Sequence, residues 1–480
     1  LMTHSIKISS EGSEDTSNRH WGFGGHIVNV DLEEEWYERT RKLSGVVNLY
    51  FVQLINMGKV NGDHYALSFM YTMPQPSWVQ GCSFKDSYNF PLRTLGVNGL
   101  MFKDNVMTGN IGGGVYIEPN CKDISVLGNV VIGTAQLPSI LSSQYAWTRP
   151  IAGFTIESPD VVIKDNVCAG SVDQGFAVAT AYFVASNSRI CDVTKGQAYT
   201  YDAAFAEQRG KFNNNEAVGG KVGLMVMAMT PWEVNGAACS VVNGILAWRN
   251  AHVGIQALNA EADTFVADVV LAENHIGVLL DVVQFSKEAS TGIIHSTVIG
   301  ALASDGFSDL PDSNWDQRCH AFTGGDPFAL QATCGSVAPA DKRRVGIMVS
   351  QFTNRALGCG VDQSFDQCQP PTTPDRACGM PFDKRYGIPV GMQYTEMHIH
   401  DVKFTGFKSN MTVGNERFDA IAISTNPSQI DATPSVMVSG LEWVGEDSGV
   451  MDVPARFGFQ YNNRLCESRT CMGLDLLLLT

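Results

Sequence analysis

A short pattern of apolar and polar positions recurs along the chain. Each copy holds an apolar strand, an Asn beside a polar or charged residue, a turn of small residues, and a second apolar strand ending near Gly. The copies are GLMFKDNVMTGNIGGGVYIEPN at Gly99–Asn120, DISVLGNVV at Asp123–Val131, VVIKDNVCAGSVDQGFAVAT at Val161–Thr180, NGILAWRNAHVGIQAL at Asn243–Leu258 and FVADVVLAENHIGVLLD at Phe265–Asp281. Asn105 and Asn129 lie 24 residues apart, as do Asn250 and Asn274. A period in the low twenties made of short strands is typical of a β-solenoid.

The repeat predicts an all-β fold, a right-handed parallel β-helix in which each coil pairs with the next. Inward Val, Ile, Leu and Phe of successive coils would form apolar ladders. Asn at a corner tolerates the left-handed conformation and can pass side-chain amide hydrogen bonds along the stack. We therefore interpret five Asn residues as structural corner residues rather than catalytic ones: Asn105, Asn129, Asn166, Asn250 and Asn274.

The chain of 480 residues is longer than one compact core usually covers. A solenoid avoids that limit because each coil contacts only its neighbours. No linker divides the sequence, so we predict a single elongated domain over residues 1–480, with long loop insertions near 303–344 and 355–384. Asp31–Lys42 is expected to be a surface loop or one helical turn, and Tyr201–Glu216 is the best candidate for a short helix.

The net charge of −16 disfavours a nucleic-acid partner, because phosphates would be repelled. No apolar run approaches the ~18 residues that a membrane-spanning helix needs. We therefore expect no direct membrane insertion in this segment.

Twelve cysteines occur without any C-x-x-C pair, which makes a zinc framework a poor interpretation. Extracellular disulfides that staple the long loops fit better. The disulfide candidates are Cys319, Cys334, Cys359, Cys368, Cys378, Cys466 and Cys471. Several other cysteines are expected to be small buried hydrophobes. Asn410 opens an N-glycosylation sequon, Asn-Met-Thr.

Two segments have the spacing of metal ligands. Glu396, His398 and His400 occupy alternate positions of a predicted strand, so they would share one face and suit a transition metal. Any half-exposed strand alternates in the same way, so both interpretations stay open.

The second segment lies in an acidic loop. Asp312, Asn314 and Asp316 space oxygen ligands as a calcium loop begins, but Gln317 and Thr323 replace the Gly and Glu of an EF-hand. Calcium in a looser site is the one cofactor we consider; no other cofactor is predicted.

Carboxylates also occur in or beside the repeats, at Asp123, Asp160, Asp165 and Asp173. Glycoside hydrolysis needs a pair of carboxylates, and β-helices often carry polysaccharide-cleaving sites. Asp is equally common at solvated turns, so the sequence does not decide between the two.

Four segments resemble one known family. Gly24–Ile27, Trp78–Asp86, Gly96–Leu100 and the paired-cysteine tail Cys466–Gly473 resemble the β-helix region of fibrocystin and fibrocystin-like proteins. They also resemble the related cell-migration-inducing hyaluronidase and its transmembrane relative. The resemblance implies a parallel β-helix, and it implies a β-rich domain upstream of Leu1.

The departures from the enzymatic branch carry the functional prediction. That branch typically has a His-Phe-His triplet where this chain has Ser68-Phe69-Met70, and it has two further His where this chain has Leu95 and Gly113. Four imidazoles that could bind metal or move protons would therefore be absent. The pattern is nearer to the fibrocystin type.

The resemblance favours a non-catalytic, extracellular structural or adhesive module at a cell, ciliary or flagellar surface. Its partners would be other extracellular proteins, copies of itself in a filament or surface assembly, or glycans. One alternative is a hydrolase of a hyaluronan-like polysaccharide. The other is a carbohydrate-binding module that uses exposed aromatics such as Trp147, Trp232 and Trp315.

Overall fold

The architecture comes from a computed structural model. It describes residues 6–11, 22–36, 39–60, 63–72, 76–118, 120–135, 152–158, 160–172, 174–178, 183–184, 211–227, 239–259, 263–282, 291–300, 343–349, 382–383, 388–389, 396–407, 412–413, 416–423, 435–444, 451–452, 459–461, 464–466 and 476–477. These residues form 42 strands, numbered β1 to β42 in chain order, and no helix. Nothing in the described ranges is a helix long and apolar enough to cross a membrane.

The contacts divide the chain into two compact units. Unit 1 comprises Leu1–Thr180 and Arg209–Leu224, and unit 2 comprises Ala181–Gln208 and Met225–Thr480. Each unit is all-β, and parallel pairing dominates both.

Unit 1 contains three parallel sheets. The first consists, in pairing order, of β1 (Ile6–Ser9), β6 (Val52–Ile55), β9 (Ser83–Lys85), β12 (Val106–Thr108), β15 (Val130–Ile132), β18 (Val167–Ala169) and β22 (Asn215–Val218). The second consists of β2 (Ile27–Val30), β7 (Leu67–Met70), β10 (Leu92–Leu95), β13 (Gly113–Ile117), β16 (Ala152–Ile156) and β19 (Gln174–Val178). Strand β23 (Val222–Met227), which pairs with β19, contributes its first three residues to unit 1. The third consists of β5 (Asn48–Tyr50), β8 (Ser77–Gln80), β11 (Asn98–Lys103), β14 (Lys122–Leu127), β17 (Val161–Lys164) and β21 (Phe212–Asn213).

The chain visits these sheets in a fixed rotation. It passes through β8, β9 and β10, then β11, β12 and β13, then β14, β15 and β16, so each coil adds one strand to each sheet. This arrangement is a parallel β-helix, as predicted.

Unit 2 also contains long parallel sheets, and its strands vary from 2 to 10 residues in length. They are β20 (Phe183–Val184), β24 (Cys239–Asn243), β25 (Ile245–Trp248), β26 (Val253–Asn259), β27 (Asp263–Ala267), β28 (Val270–Ala272), β29 (Ile276–Val282), β30 (Thr291–Ile299), β31 (Arg343–Val349), β32 (Phe382–Asp383), β33 (Ile388–Pro389), β34 (Glu396–Thr405), β35 (Thr412–Val413), β36 (Glu416–Ile423), β37 (Ser435–Ser439), β38 (Glu442–Trp443), β39 (Met451–Asp452), β40 (Phe459–Tyr461), β41 (Arg464–Cys466) and β42 (Leu476–Leu477). Strands β24, β27, β30, β34, β37 and β40 pair in parallel, as do β26, β29, β31, β36 and β39. Strand β39 also pairs with β42, and β28 and β38 join the far halves of β30 and β34.

One local prediction is wrong, and a second is wrong in the part that the structure describes. Residues 32–43 form an antiparallel hairpin of β3 (Leu32–Trp36) and β4 (Arg39–Leu43), not a loop or helical turn. Its register sets Glu33 opposite Lys42 and Glu34 opposite Arg41. Of the helix expected at 201–216, residues 212–213 and 215–216 belong instead to β21 and β22.

The repeated Asn residues form buried hydrogen-bond ladders. In unit 1 the side-chain Nδ2 of Asn105, Asn129 and Asn166 donates to Oδ1 of the next rung at 2.9, 3.0 and 3.1 Å, and the last acceptor is Asn215. In unit 2 Asn250 donates to Asn274 at 3.0 Å. Each Oδ1 also accepts the backbone N–H of the preceding rung.

The left-handed conformation expected at these Asn residues lies one position earlier. Asp104, Gly128, Asp165 and Asn214 have φ of 54°, 64°, 58° and 53°. The preceding residue makes the sharp turn, and the ladder amide can then point inward, where its polar atoms are all hydrogen-bonded.

Aromatic rings and close backbone approach fill the core of unit 1. Phe84 and Phe102 lie 6.0 Å apart between ring centroids, and Phe154 stacks on Phe176 at 4.8 Å. A Cβ on Gly153 would lie 2.3 Å from Cys168 Sγ and 2.8 Å from the carbonyl oxygen of Gly175. Only Gly fits at this contact between coils.

Candidate functional site

A buried ion pair of unit 1 lies on its second sheet. Strand register sets Arg93 of β10 between Ser68 of β7 and Tyr116 of β13. Arg93 Nε donates to Glu118 Oε1 at 2.5 Å, and the two side chains are only 10% and 9% exposed. The guanidinium also lies over the Tyr65 ring, 5.0 Å from its centroid, and Nη1 approaches Met70 Sδ at 3.9 Å. We call Tyr65, Met70, Arg93 and Glu118 the Arg93 cluster.

A buried charge of this kind is stable only when it is paired and hydrogen-bonded. Burial alone lowers the pKa of Arg93, but the hydrogen bond and charge of Glu118 outweigh it and raise that pKa. The guanidinium is therefore held as a cation, and its charge is directed at Glu118.

A second carboxylate lies beside Glu118. Ile117 of β13 pairs with Ile156 of β16 on the next coil, and the Glu157 N–H donates to the Ile117 carbonyl. Glu118 and Glu157 come directly after these two paired residues, so they occupy equivalent positions on adjacent coils. Glu157 Oε2 accepts a hydrogen bond from the Tyr116 hydroxyl at 3.0 Å.

Two imidazoles border the Arg93 cluster. The rings of His26 and His64 lie 5.3 Å apart, and His26 Nε2 is 3.1 Å from Ser68 Oγ. Burial, and then the charges of His64 and Arg93, lower the pKa of His26. His26 is therefore suited to act as a neutral hydrogen-bonding group at pH 7.

A separate histidine cluster lies in unit 2. On β34, His400 Nε2 is 3.4 Å from His398 Nδ1, and His400 Nδ1 hydrogen-bonds Ser439 Oγ on β37. His398 is fully buried and packs 5.9 Å from the Phe265 ring. His295 Nδ1 of β30 lies 3.5 Å from Asp401 Oδ2. Burial, then His398 and His295, lower the pKa of His400 to about 4.

The predicted ligand sets are described only in part. Of the first set, the side chains of His398 and His400 converge, whereas the side chain of Glu396 lies outside the described residues, so the three-residue site stays a prediction. The calcium candidates Asp312, Asn314 and Asp316 lie outside the described residues. Where side chains are described, no group of three or more His, Cys, Asp or Glu is arranged to hold a metal ion.

Of the other residues that the sequence singles out, some are described and some are not. Asp123, Asp160 and Asp165 are exposed, and Asp160 Oδ1 is 3.1 Å from Lys211 Nζ. Cys82, Cys121 and Cys168 are buried free thiols. The side chains of the disulfide candidates, and Asn410, Asp173, Trp147, Trp232 and Trp315, lie outside the described residues.

Sequence reasoning missed Arg93, Glu118 and Glu157. No local motif joins them, because Arg93 and Glu118 are 25 positions apart. That separation is close to the 24-residue spacing of the ladder, so aligning the repeats by coil would have set these residues side by side.

Comparison with known proteins shows what this chain is similar to. Residues 22–224 match the CEMIP β-helix family. Dog (Canis lupus familiaris) fibrocystin is 24% identical over 325 residues, which cover 66% of this chain and 7% of fibrocystin. The region that holds the Arg93 cluster is thus similar to the CEMIP β-helix. The predicted resemblance is confirmed: the chain is related to fibrocystin-like proteins and to the CEMIP β-helix, and it spans a small part of the fibrocystin that it matches.

Proposed function

We propose that this chain is a non-catalytic β-helix module with a structural or adhesive role in a fibrocystin-like surface protein. The observation that carries the proposal is the Arg93–Glu118 ion pair. Its 2.5 Å contact and near-complete burial turn both charges toward each other instead of toward a ligand. The pair holds two neighbouring coils together, as a scaffold requires.

The positions around the pair support the same conclusion. Where the resemblance to the enzymatic branch implies imidazoles, this chain has Ser68, Met70, Leu95 and Gly113. None of these residues carries a group that titrates near neutral pH. Met70 instead contacts Arg93, and Ser68 contacts His26.

The proposed setting is the outside of a cell, at a ciliary, flagellar or other surface. The acidic chain, the likeness to fibrocystin and the sequon at Asn410 support it. Partners would be other surface proteins, further copies of this chain, or glycans that contact the loops.

Incubation with hyaluronan tests the non-catalytic part. The purified chain and a hyaluronidase as positive control would receive hyaluronan of defined length at acidic and neutral pH, and the products would be sized. We expect no shortening by this chain. Shortening that Glu157→Gln removes and the exposed control Asp86→Asn retains would overturn the proposal.

Sedimentation velocity over a range of concentrations, combined with a glycan-binding array, tests the adhesive part. We expect self-association or retention on an extracellular glycan. A chain that stays monomeric, binds no glycan and captures no surface protein would contradict an adhesive role.

One observation favours the hydrolase alternative. Glu118 and Glu157 occupy neighbouring positions on adjacent coils, and glycosidases use two carboxylates across a scissile bond. In that alternative Glu118 and Glu157 would divide the roles of acid and of base or nucleophile between them. The hyaluronan experiment decides between the two.

A further inference from the structure

We propose that His398 and His400 bind a first-row transition-metal ion such as Zn²⁺ through Nδ1 of His398 and Nε2 of His400. The two residues alternate on β34 and therefore share a face. Their two ring nitrogens are 3.4 Å apart. Zn–N bonds of 2.0–2.1 Å at a tetrahedral angle put two ligand nitrogens about 3.4 Å apart. In the absence of metal, an N–H of one ring occupies this space.

The surroundings orient both rings. His400 Nδ1 hydrogen-bonds Ser439 Oγ, which leaves Nε2 directed at His398. Metal-bound His residues commonly use their second ring nitrogen in this way, which fixes the tautomer and ring angle. His398 lies opposite Gly292 of β30, where a Cβ would come within 2.9 Å of the His398 Cβ. The absence of a side chain at Gly292 therefore leaves room for the buried ring.

The burial of the two rings and the course of β34 indicate how an ion would enter and which residue would be a third ligand. His398 is fully buried, whereas His400 and Ser439 are half-buried, so an ion would enter from the side of His400. Glu396 begins the same strand two residues before His398, and the sequence predicts it as a third ligand. Two imidazoles, a carboxylate and water form a donor set that zinc accepts. The site lies in unit 2, and the function proposed above rests on unit 1.

Metal content tests the site directly. The full chain, made without a histidine tag, would be stripped with EDTA, dialysed against equimolar ZnCl₂ and measured by inductively coupled plasma mass spectrometry. We expect about one zinc per chain, and a cobalt(II)-substituted sample should show a tetrahedral visible spectrum without a thiolate charge-transfer band. A zinc content near zero would overturn the proposal, as would a thiolate band.

Variants locate the ion. We expect His400→Gln to abolish retention, and Ser439→Ala to weaken affinity about 10-fold to 100-fold. The matched control His64→Gln, from unit 1, should retain zinc. His398→Gln removes a buried ring, so circular dichroism must show that it folds, and the half-buried His400 supplies the decisive variant. Full zinc retention by a folded His400→Gln would overturn the assignment.

Discussion

The side-chain amide of Asn105 donates to Asn129 Oδ1 at 2.9 Å, and the same oxygen accepts the Asn105 backbone N–H at 3.0 Å. Asn129 in turn donates to the Phe102 carbonyl and to Asn166 Oδ1. One side chain thus hydrogen-bonds polar groups on the coil before it and on the coil after it.

Asn129→Ala should lower the free energy of unfolding by about 3 kcal/mol. It leaves the buried Asn105 N–H without its acceptor and removes the hydrogen bonds with the Asn105 side chain and the Phe102 carbonyl; a buried group left unsatisfied costs about 1–3 kcal/mol. Urea denaturation followed by circular dichroism measures the change. Asn213→Ala, at an exposed position, should shift it by less than about 0.5 kcal/mol. Equal effects of the two variants would show that the ladder does not stabilise the fold.

Removing one partner of the Arg93–Glu118 ion pair should lower the free energy of unfolding more than replacing both partners with apolar residues. Glu118→Gln leaves a buried guanidinium with a neutral partner and should cost about 3–5 kcal/mol, whereas Arg93→Met with Glu118→Leu should be nearly neutral. Thermal and urea unfolding of the single and double variants measures the coupling between the two residues. Asp160→Asn, which breaks the exposed pair with Lys211, should cost about 0–1 kcal/mol. A double variant as unstable as the sum of its singles would contradict a coupled pair.

Stability should fall as the solution is acidified, in part through His26. Its folded-state pKa is lowered from 6.5, mainly by burial, so the unfolded chain binds the proton first. The His26 contribution is therefore fully present above pH 6.5 and is lost as the pH falls from 6.5 through the lowered folded-state pKa.

His26→Gln should flatten the dependence of unfolding free energy on pH in that window. Ser68→Ala removes the hydrogen-bond partner but keeps the imidazole, so its pH slope should stay close to that of the wild type. Identical slopes for wild type and His26→Gln would contradict the assignment.

Cys168 should resist alkylation in the folded chain. Burial raises the pKa of its thiol to about 12, so almost no thiolate is present at neutral pH. Burial also raises the pKa values of Cys82 and Cys121. Iodoacetamide labelling with peptide mass spectrometry should modify all three only after unfolding in guanidinium. Labelling of native Cys168 at the rate of a free peptide thiol would contradict the burial.

The scaffold was predictable where the pattern is local. The strand–Asn–turn phrase identified Asn105, Asn129 and Asn166 because each copy is written in contiguous residues. Asn215 was missed because 49 residues separate it from Asn166, so no period pointed to it. The hairpin of β3 and β4 was missed because its strands are rich in charged residues, as a polar loop is. Only the strand register shows that they pair.

The candidate sites were less predictable because they form between coils. The alternation of His398 and His400 is visible within one strand. Ser439 and His295 reach that cluster from other coils, and Arg93 meets Glu118 only through the stacking of β10 on β13. A contact that depends on strand register leaves no pattern among neighbouring residues of the sequence, whereas a turn or an alternating strand does.

The ladder in unit 1 spans chain separations of 24, 37 and 49 residues, yet its side-chain bonds stay between 2.9 and 3.1 Å. The geometry of the ladder therefore does not depend on the number of residues in a coil. Loops can lengthen, shorten or be exchanged during evolution while the rungs keep their places. Related sequences should therefore be aligned coil by coil, because the number of residues between successive ladder Asn residues says little about the fold.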